Sequence, residues 1–405
     1  MDTPKVLLIV TQDTKEEECR FMRQTLEAAG CEVIHMDPSI RRTVGGAEIG
    51  PAAIAGAAGK TIEEVRALGH EGKCQAVMIE GALKLAADIA PELAGVISIG
   101  GSMGTGLSTA IMRALPYGLP KLMVSTMASG FTKPYVGVKD IAMMNAVTDI
   151  AGLNSISRDV FRNAALAMAG MAKGYDPARG TEKPLVLITT LGTTEKCTRR
   201  IREALEADGA EVMVFHSSGA GGPTLDSIAA EREVAVVLDL SLTEIVDHLN
   251  GGIADAGPDR AKAALARGIP TIFAPGNVDF IIAGPLDVAE QQFPGRRYHV
   301  HNPALTAVRT RTDDLETLAD HMAELAREAK GPVRWFTPLK GFSHHDSPEG
   351  HLLDLAVPGP FAEYLASVMP EGVEVEAVDA HFNDPEFADR IAAAAREYLK
   401  APAAA

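Results

Sequence analysis

One stretch of this chain occurs twice, and that repeat constrains the fold more than any other feature. Residues 5–36, KVLLIVTQDTKEEECRFMRQTLEAAGCEVIHM, align without a gap on residues 184–215, PLVLITTLGTTEKCTRRIREALEADGAEVMVF. Thirteen of the 32 pairs are identical, among them Leu8/Leu187, Thr14/Thr193, Leu26/Leu205, Gly30/Gly209 and Val33/Val212. Such agreement at a fixed offset points to duplication. Each copy reads as strand, helix, strand. The runs VLLIV and LVLIT are short and continuously apolar, the pattern of a strand buried on both faces. Met22 with Leu26, and Ile201 with Leu205, line one side of each helix, with charges opposite. Gly30 and Gly209 stand where a helix ends in a left-handed residue before the next strand begins. Two parallel strands joined by a helix make a βαβ unit with a right-handed crossover.

The expected fold is therefore α/β: two Rossmann-like βαβ domains arising from an internal duplication, with largely parallel sheets. GVISI (95–99) and KLMVST (121–126) add strands to the first half, and VAVVLDL (234–240) and TIFAP (271–275) to the second. The polar stretch GYDPARGTEK divides the chain into a first domain, 1–178, and a second, 179–405, with a C-terminal extension. Helical 313–329, strand-like VRWFT and VEVEAVDA, and helical 385–399 complete the second domain.

Composition narrows the function. With 54 acidic against 38 basic residues, the formal net charge is −16. Non-specific nucleic-acid binding and anionic-membrane binding both start from a basic surface, so neither is expected. The start MDTPKVLLIV lacks the form of a signal peptide, and no run has the roughly 18 apolar residues of a membrane span. Cys19, Cys31, Cys74 and Cys197 show no CxxC spacing. They read as reduced, buried thiols of a cytoplasmic protein.

The segment GVISIGGSMGTGLSTAIMRAL holds the main candidate site. A buried strand runs into Gly100, Gly101, Ser102, Met103, Gly104, Thr105 and Gly106, and then into a helix. Glycines let backbone amides approach a ligand, and the helix start adds unpaired donors with partial positive charge. Together these make an anion site for phosphate or carboxylate. The loop HSSGAGGPTLDSI, with Gly219, Gly221 and Gly222, reads as its counterpart in the second half. Thr126, Ser129 and Gly130, with Ser125, form a supporting strand-end cluster. Asp149, Asp239 and Asp279 are candidate partners for magnesium, although no metal ligand set is fixed by the sequence.

Rival readings of these residues exist. Gly100-Gly101-Ser102-Met103-Gly104 satisfies G-x-S-x-G, which would make Ser102 the nucleophile of a hydrolase elbow. AGAAGKT (55–61) imitates a phosphate-binding loop, but its first glycine position is Ile54, and Thr61 with Glu64 reads as a capping box. His299 and His301 alternate along a strand-like stretch, and His344, His345 and Asp346 stand together. These histidines read as structural or surface groups, lacking an ordered third and fourth ligand.

GGSMGTGLSTAIMRALPYGLPKLMVSTMASG (100–130), HNP (301–303), KGFSHHD (340–346) and HFNDPEFA (381–388) together resemble a specific family. It is the uncharacterised family related to the ATP-binding N-terminal half of the tomato mosaic virus resistance protein. The resemblance spans essentially the whole chain. It implies two Rossmann-like subdomains, Mg-ATP binding and a homodimer. The leading expectation is an ATP-binding protein; a kinase- or ligase-like enzyme of small-molecule metabolism is one form such a protein takes. The alternatives are a serine hydrolase built on Ser102 and a non-catalytic, nucleotide-dependent interaction protein.

Overall fold

The computed structural model describes residues 3–177 and 183–399. The chain forms two compact units, 1–180 and 181–405, and the expected boundary at 178/179 lies outside the described residues. The first unit opens with β1 (Lys5–Ile9), α1 (Gln12–Ala28) and β2 (Glu32–Met36), followed by helices α2 (Pro51–Ala57), α3 (Ile62–Ala67) and α4 (Glu71–Ile89). Then come β3 (Leu93–Gly100), α5 (Ser102–Ala114), β4 (Lys121–Ser125), α6 (Lys133–Val136), β5 (Ala142–Asn145) and α7 (Ser155–Lys173). The sheet is parallel throughout, in the order β2-β1-β3-β4-β5.

Alternation along β1 explains its unbroken apolar run. Val6 and Leu8 join Met22, Leu26, Phe161 and Met168 under α1 and α7. Leu7 and Ile9, pointing the other way, join Met78, Ala82 and Ile111 under α4 and α5. Each face is covered by helices, so β1 carries apolar side chains on both sides. Gly30 ends α1 at φ +82°, a left-handed position that a side chain would strain.

The second unit repeats this opening with β6 (Leu185–Thr190), α8 (Glu195–Ala207), β7 (Glu211–His216), α9 (Gly221–Glu231), β8 (Val236–Ser241), α10 (Thr243–Asn250), α11 (Lys262–Arg267) and β9 (Thr271–Gly276). It continues with β10 (Phe280–Ala283), α12 (Leu286–Gln292), β11 (Tyr298–Asn302), β12 (Leu305–Arg309), α13 (Thr312–Arg327), β13 (Val333–Pro338), α14 (Pro358–Val368), β14 (Glu374–Val378) and α15 (Pro385–Leu399). The main sheet, β7-β6-β8-β9-β13-β14, is parallel and starts in the same order as the first unit. The duplication thus extends to topology.

One layer departs from the expected plan. After β9 the chain builds a separate antiparallel sheet, β10-β12-β11. Its strands are short, and β11 is largely exposed, so no long apolar run announces it. Among the described residues, no helix is long and apolar enough to cross a membrane.

Candidate functional site

In the first unit the strand order reverses between β1 and β3, and ligands of open α/β sheets bind beyond the carboxyl ends of strands at such a point. A cleft of about 480 Å³ lies there. Its walls come from Thr11 and the first turn of α1 (Asp13, Thr14, Lys15), the segment after β2 (Pro38, Ile40, Arg41), Arg66 and the start of α4, and Gly101–Gly104 with Leu107.

The helix after β3 begins earlier than the sequence suggests. Ser102 is already its first residue, so Gly104, Thr105 and Gly106 are helical and the turn is only Gly100-Gly101. A methyl group on Gly100 would stand 3.0 Å from the Gly104 backbone, so the strand and the helix start can meet this closely only with glycine there. No side chain caps α5. The Thr105 amide already bonds Gly101 O at 2.8 Å, which leaves Ser102, Met103 and Gly104 as the uncapped donors lining the cleft.

The other predicted residues of this half fall into two groups. Gly101, Ser102 and Gly104 line the cleft. Thr105 does not: it is fully buried, with Oγ1 2.6 Å from Ser125 Oγ, and it staples the helix to β4. Gly106 lies further along the helix beside Gln75. The Thr126 amide bonds Gly100 O, and Ser129 and Gly130 sit on an exposed turn outside the cleft wall. Asp149 is exposed and bonds the next amide, Ile150 N, at 2.8 Å.

Three cations converge on this wall despite the acidic whole. Lys15 stands at an interruption of α1 (φ −137°, ψ 41°), and Arg41 and Arg66 line the same cleft. Arg66 is anchored, its Nε donating to Ile40 O at 2.7 Å. Arg41 reaches Glu71 at 3.1 Å, an exposed pair that a ligand can replace at little cost. The neighbouring helix start of α1 is already occupied. The Asp37 carboxylate accepts the Gln12 amide at 3.0 Å, and Ser39 Oγ accepts that of Asp13 at 3.0 Å. Asp37 is fully buried at the end of β2, with its second oxygen unpartnered. Sequence reading missed Asp37, Lys15, Arg41 and Arg66. Their only signal is position, just past the ends of β1 and β2 and in the helices that follow.

Ser102 sits in regular helix and is not among the residues with positive φ, so the strained turn of a nucleophile elbow is absent at this position. The imitation of a phosphate loop at 55–61 is also resolved. Thr61 Oγ1 accepts the Glu64 amide at 3.2 Å, and Glu64 returns the bond to the Thr61 amide at 2.7 Å. All four cysteines are free and buried, and burial pushes Cys19 up to about 12.

The second unit corrects one equivalence. HSSGAGG follows β7, the counterpart of β2, whereas the true counterpart of the Gly100 turn is Ser241-Leu242, entering α10. Neither corner is open. Glu244 Oε1 accepts the Gly219 amide at 2.8 Å, and Glu244 Oε2 accepts that of Gly222 at 3.0 Å. Arg260 then bonds Glu244 at 2.9 Å and Asp239 at 2.7 and 2.8 Å. A methyl group on Gly222 would lie 1.8 Å from Arg260 Nε. Asp226 stands 3.6 Å from the same guanidinium, and burial raises its carboxyl to about 6. The amides of Gly219 and Gly222 are thus taken by the protein's own carboxylate, Gly221 packs against the His216 backbone, and Asp239 is neutralised by Arg260 rather than offered to a metal. At the other corner Ser241, Thr194 and Asn277 are buried and bonded together. Asp279 is buried as well, bonded to Ser343 Oγ at 2.7 Å, and burial raises it to about 7.

Comparison with known proteins agrees with this two-unit plan. A solved pyrethroid hydrolase, PytH, reaches a TM-score of only 0.24 at 16% identity, covering 56% of this chain and 100% of that one. Relatives by sequence are far nearer. A UPF0261 protein of Clostridium tetani is 37% identical over 397 residues, 95% of this chain and 96% of the relative. One from Mesorhizobium japonicum is 36% identical over 393 residues, 96% of this chain and 98% of the relative. The ToMV resistance protein Tm-1(GCR237) of Solanum lycopersicum is 30% identical over 423 residues, 96% of this chain but 55% of the plant protein. The N-terminal domain model of an uncharacterised protein family, UPF0261, matches residues 4–177, and its C-terminal domain model matches 183–399. With both models matched in order across nearly its whole length, the chain belongs to the UPF0261 family.

Proposed function

We propose that the first unit binds a phosphate-bearing nucleotide, ATP with magnesium foremost. One observation carries the reading: three uncapped helix amides, Ser102–Gly104, share a cleft with Lys15, Arg41 and Arg66. Helix-start amides favour anions through unpaired donors and the helix dipole, and guanidinium groups grip phosphate oxygens two at a time. Pro38, Ile40 and Leu107 supply apolar wall for a flat base. Asp13 and Glu71, the carboxylates of the cleft, are the hard oxygen donors that would meet a magnesium ion on the phosphates. Such an ion would neutralise phosphate charge and fix the geometry of the phosphate chain. Lys15 and the amides would hold the same oxygens from the protein side. The family resemblance read from the sequence implies this same ligand.

The test is a thermal shift with ATP, with and without magnesium. At a hundredfold excess over Kd, bound nucleotide would add about 2.7 kcal/mol to the folded state, a rise of several degrees in Tm. An unchanged Tm at millimolar ATP under both conditions would refute the proposal.

A further inference from the structure

The antiparallel layer of the second unit gathers histidines that the nucleotide reading does not use. His299 and His301 lie two apart on β11, the edge strand of the sheet β10-β12-β11, so both project from one face. The ladder skips from Val300 opposite Thr306 to Asn302 opposite Leu305, leaving His301 at an irregularity in the pairing. His345 arrives from the Ser343–Ser347 turn. Ligand nitrogens of His299, His301 and His345 all lie within 4.8 Å of one another.

Two facts make this more than a chance meeting of surface rings. The turn bearing His345 is fixed from beneath: Ser343 Oγ donates to buried Asp279, Asp346 accepts the Asp354 amide at 2.8 Å, and His345 O accepts the Leu352 amide at 2.9 Å. Among the described residues, no carboxylate or carbonyl takes up the ring nitrogens of the three histidines. The rings instead face one another, His299 4.3 Å from His345 by ring centroid. Such a packing would repel itself if protonated. Burial together with the neighbouring rings pushes His345 down to about 4 and lowers His299, which favours the neutral, metal-binding form of those two rings.

We propose that His299, His301 and His345 form a three-imidazole site for a first-row divalent transition metal, for which zinc is the natural probe. Imidazole nitrogens suit zinc, copper, nickel and cobalt and do not suit magnesium or calcium. Zinc–nitrogen bonds of about 2.0–2.1 Å at tetrahedral angles set ligand nitrogens about 3.3 Å apart, so the three rings, whose nitrogens lie within 4.8 Å of one another, would draw together on the ion. Three protein ligands leave a fourth position for solvent or a small ligand. His351 stacks flat on His299, ring centroids 4.9 Å apart, and braces that ligand.

The test is a zinc titration of the full chain, freed of any purification tag, against a competing chromophoric chelator, with cobalt substitution as an optical readout. One zinc per chain is expected, with a cobalt spectrum of tetrahedral intensity. His301→Ala alters an exposed side chain, so its fold should persist by circular dichroism, and its zinc affinity should fall at least tenfold. His345→Ala should do the same, while His321→Ala, on α13, should bind as the parent does. The proposal is overturned if the parent takes up no stoichiometric zinc, or if His301→Ala and His345→Ala, still folded, bind it undiminished.

Discussion

Arg260→Met should lower stability by about 3–5 kcal/mol, the usual cost of removing one partner from a buried ion cluster. For a unit of this size that corresponds to a fall in Tm of roughly 6–20 °C. Arg260 is 2% exposed and is shared by Asp239, Glu244 and Asp226. Without it three buried carboxylates face one another with no cation. The loss should also depend on pH with a definite sign. Orphaned carboxyls have folded pKa values raised above the unfolded ones, so their protonated forms are favoured by folding. Their stability contribution is intact in acid and lost as pH rises through the raised pKa. The defect of Arg260→Met relative to the parent should therefore be smaller at pH 5 than at pH 8. Chemical denaturation at the two pH values checks this, and an equal defect at both would contradict the assignment. Arg260→Lys should recover only part of the loss, because an ammonium cannot reproduce the forked contact to Asp239 at 2.7 and 2.8 Å.

Ser102→Asp should act in opposite directions on binding and on stability. The second unit already shows what a carboxylate does at a helix start, since Glu244 fills the amides of Gly219 and Gly222. Aspartate at position 102 would place a negative charge at the first turn of α5. Helix-dipole attraction there contributes about 0.3–1 kcal/mol to the folded state. The same charge would compete with phosphate for the amides and repel it, so ATP affinity should fall at least tenfold. Calorimetric titration paired with thermal melts separates the two effects. Lower affinity caused by general damage would come with a lower Tm, and that outcome would count against the assigned role of Ser102–Gly104.

The architecture was legible because it is written twice. Buried parallel strands such as Val6–Ile9 and Leu185–Ile188 must be apolar on both faces, and that requirement marks them plainly in the sequence. The antiparallel sheet escaped notice because Tyr298–Asn302 is an edge strand with polar and exposed residues, and its pairing with Leu305–Arg309 is what defines it. Part of the candidate site was readable, since Gly101, Ser102 and Gly104 follow a strong strand and open a helix. Glycine content misled at 219–222. Gly222 is required because Glu244 and Arg260 press against its backbone, Gly221 because the His216 backbone does, and Gly219 takes a left-handed φ of +96° beside Ala254, contacts that mostly depend on residues far along the chain. The cations of the cleft were hidden for a related reason. Lys15, Arg41 and Arg66 come from separate segments, and only the fold brings them to one wall within a chain of net charge −16. His345 likewise meets His299 and His301 only through the tertiary fold.

The most direct measurement is a structure of the chain crystallised with a non-hydrolysable ATP analogue and magnesium. The account predicts phosphate oxygens within hydrogen-bond distance of the Ser102, Met103 and Gly104 amides, with Lys15 or Arg41 drawn onto them. Phosphates bound elsewhere, with those three amides left to solvent in crystals that do contain the nucleotide, would contradict it.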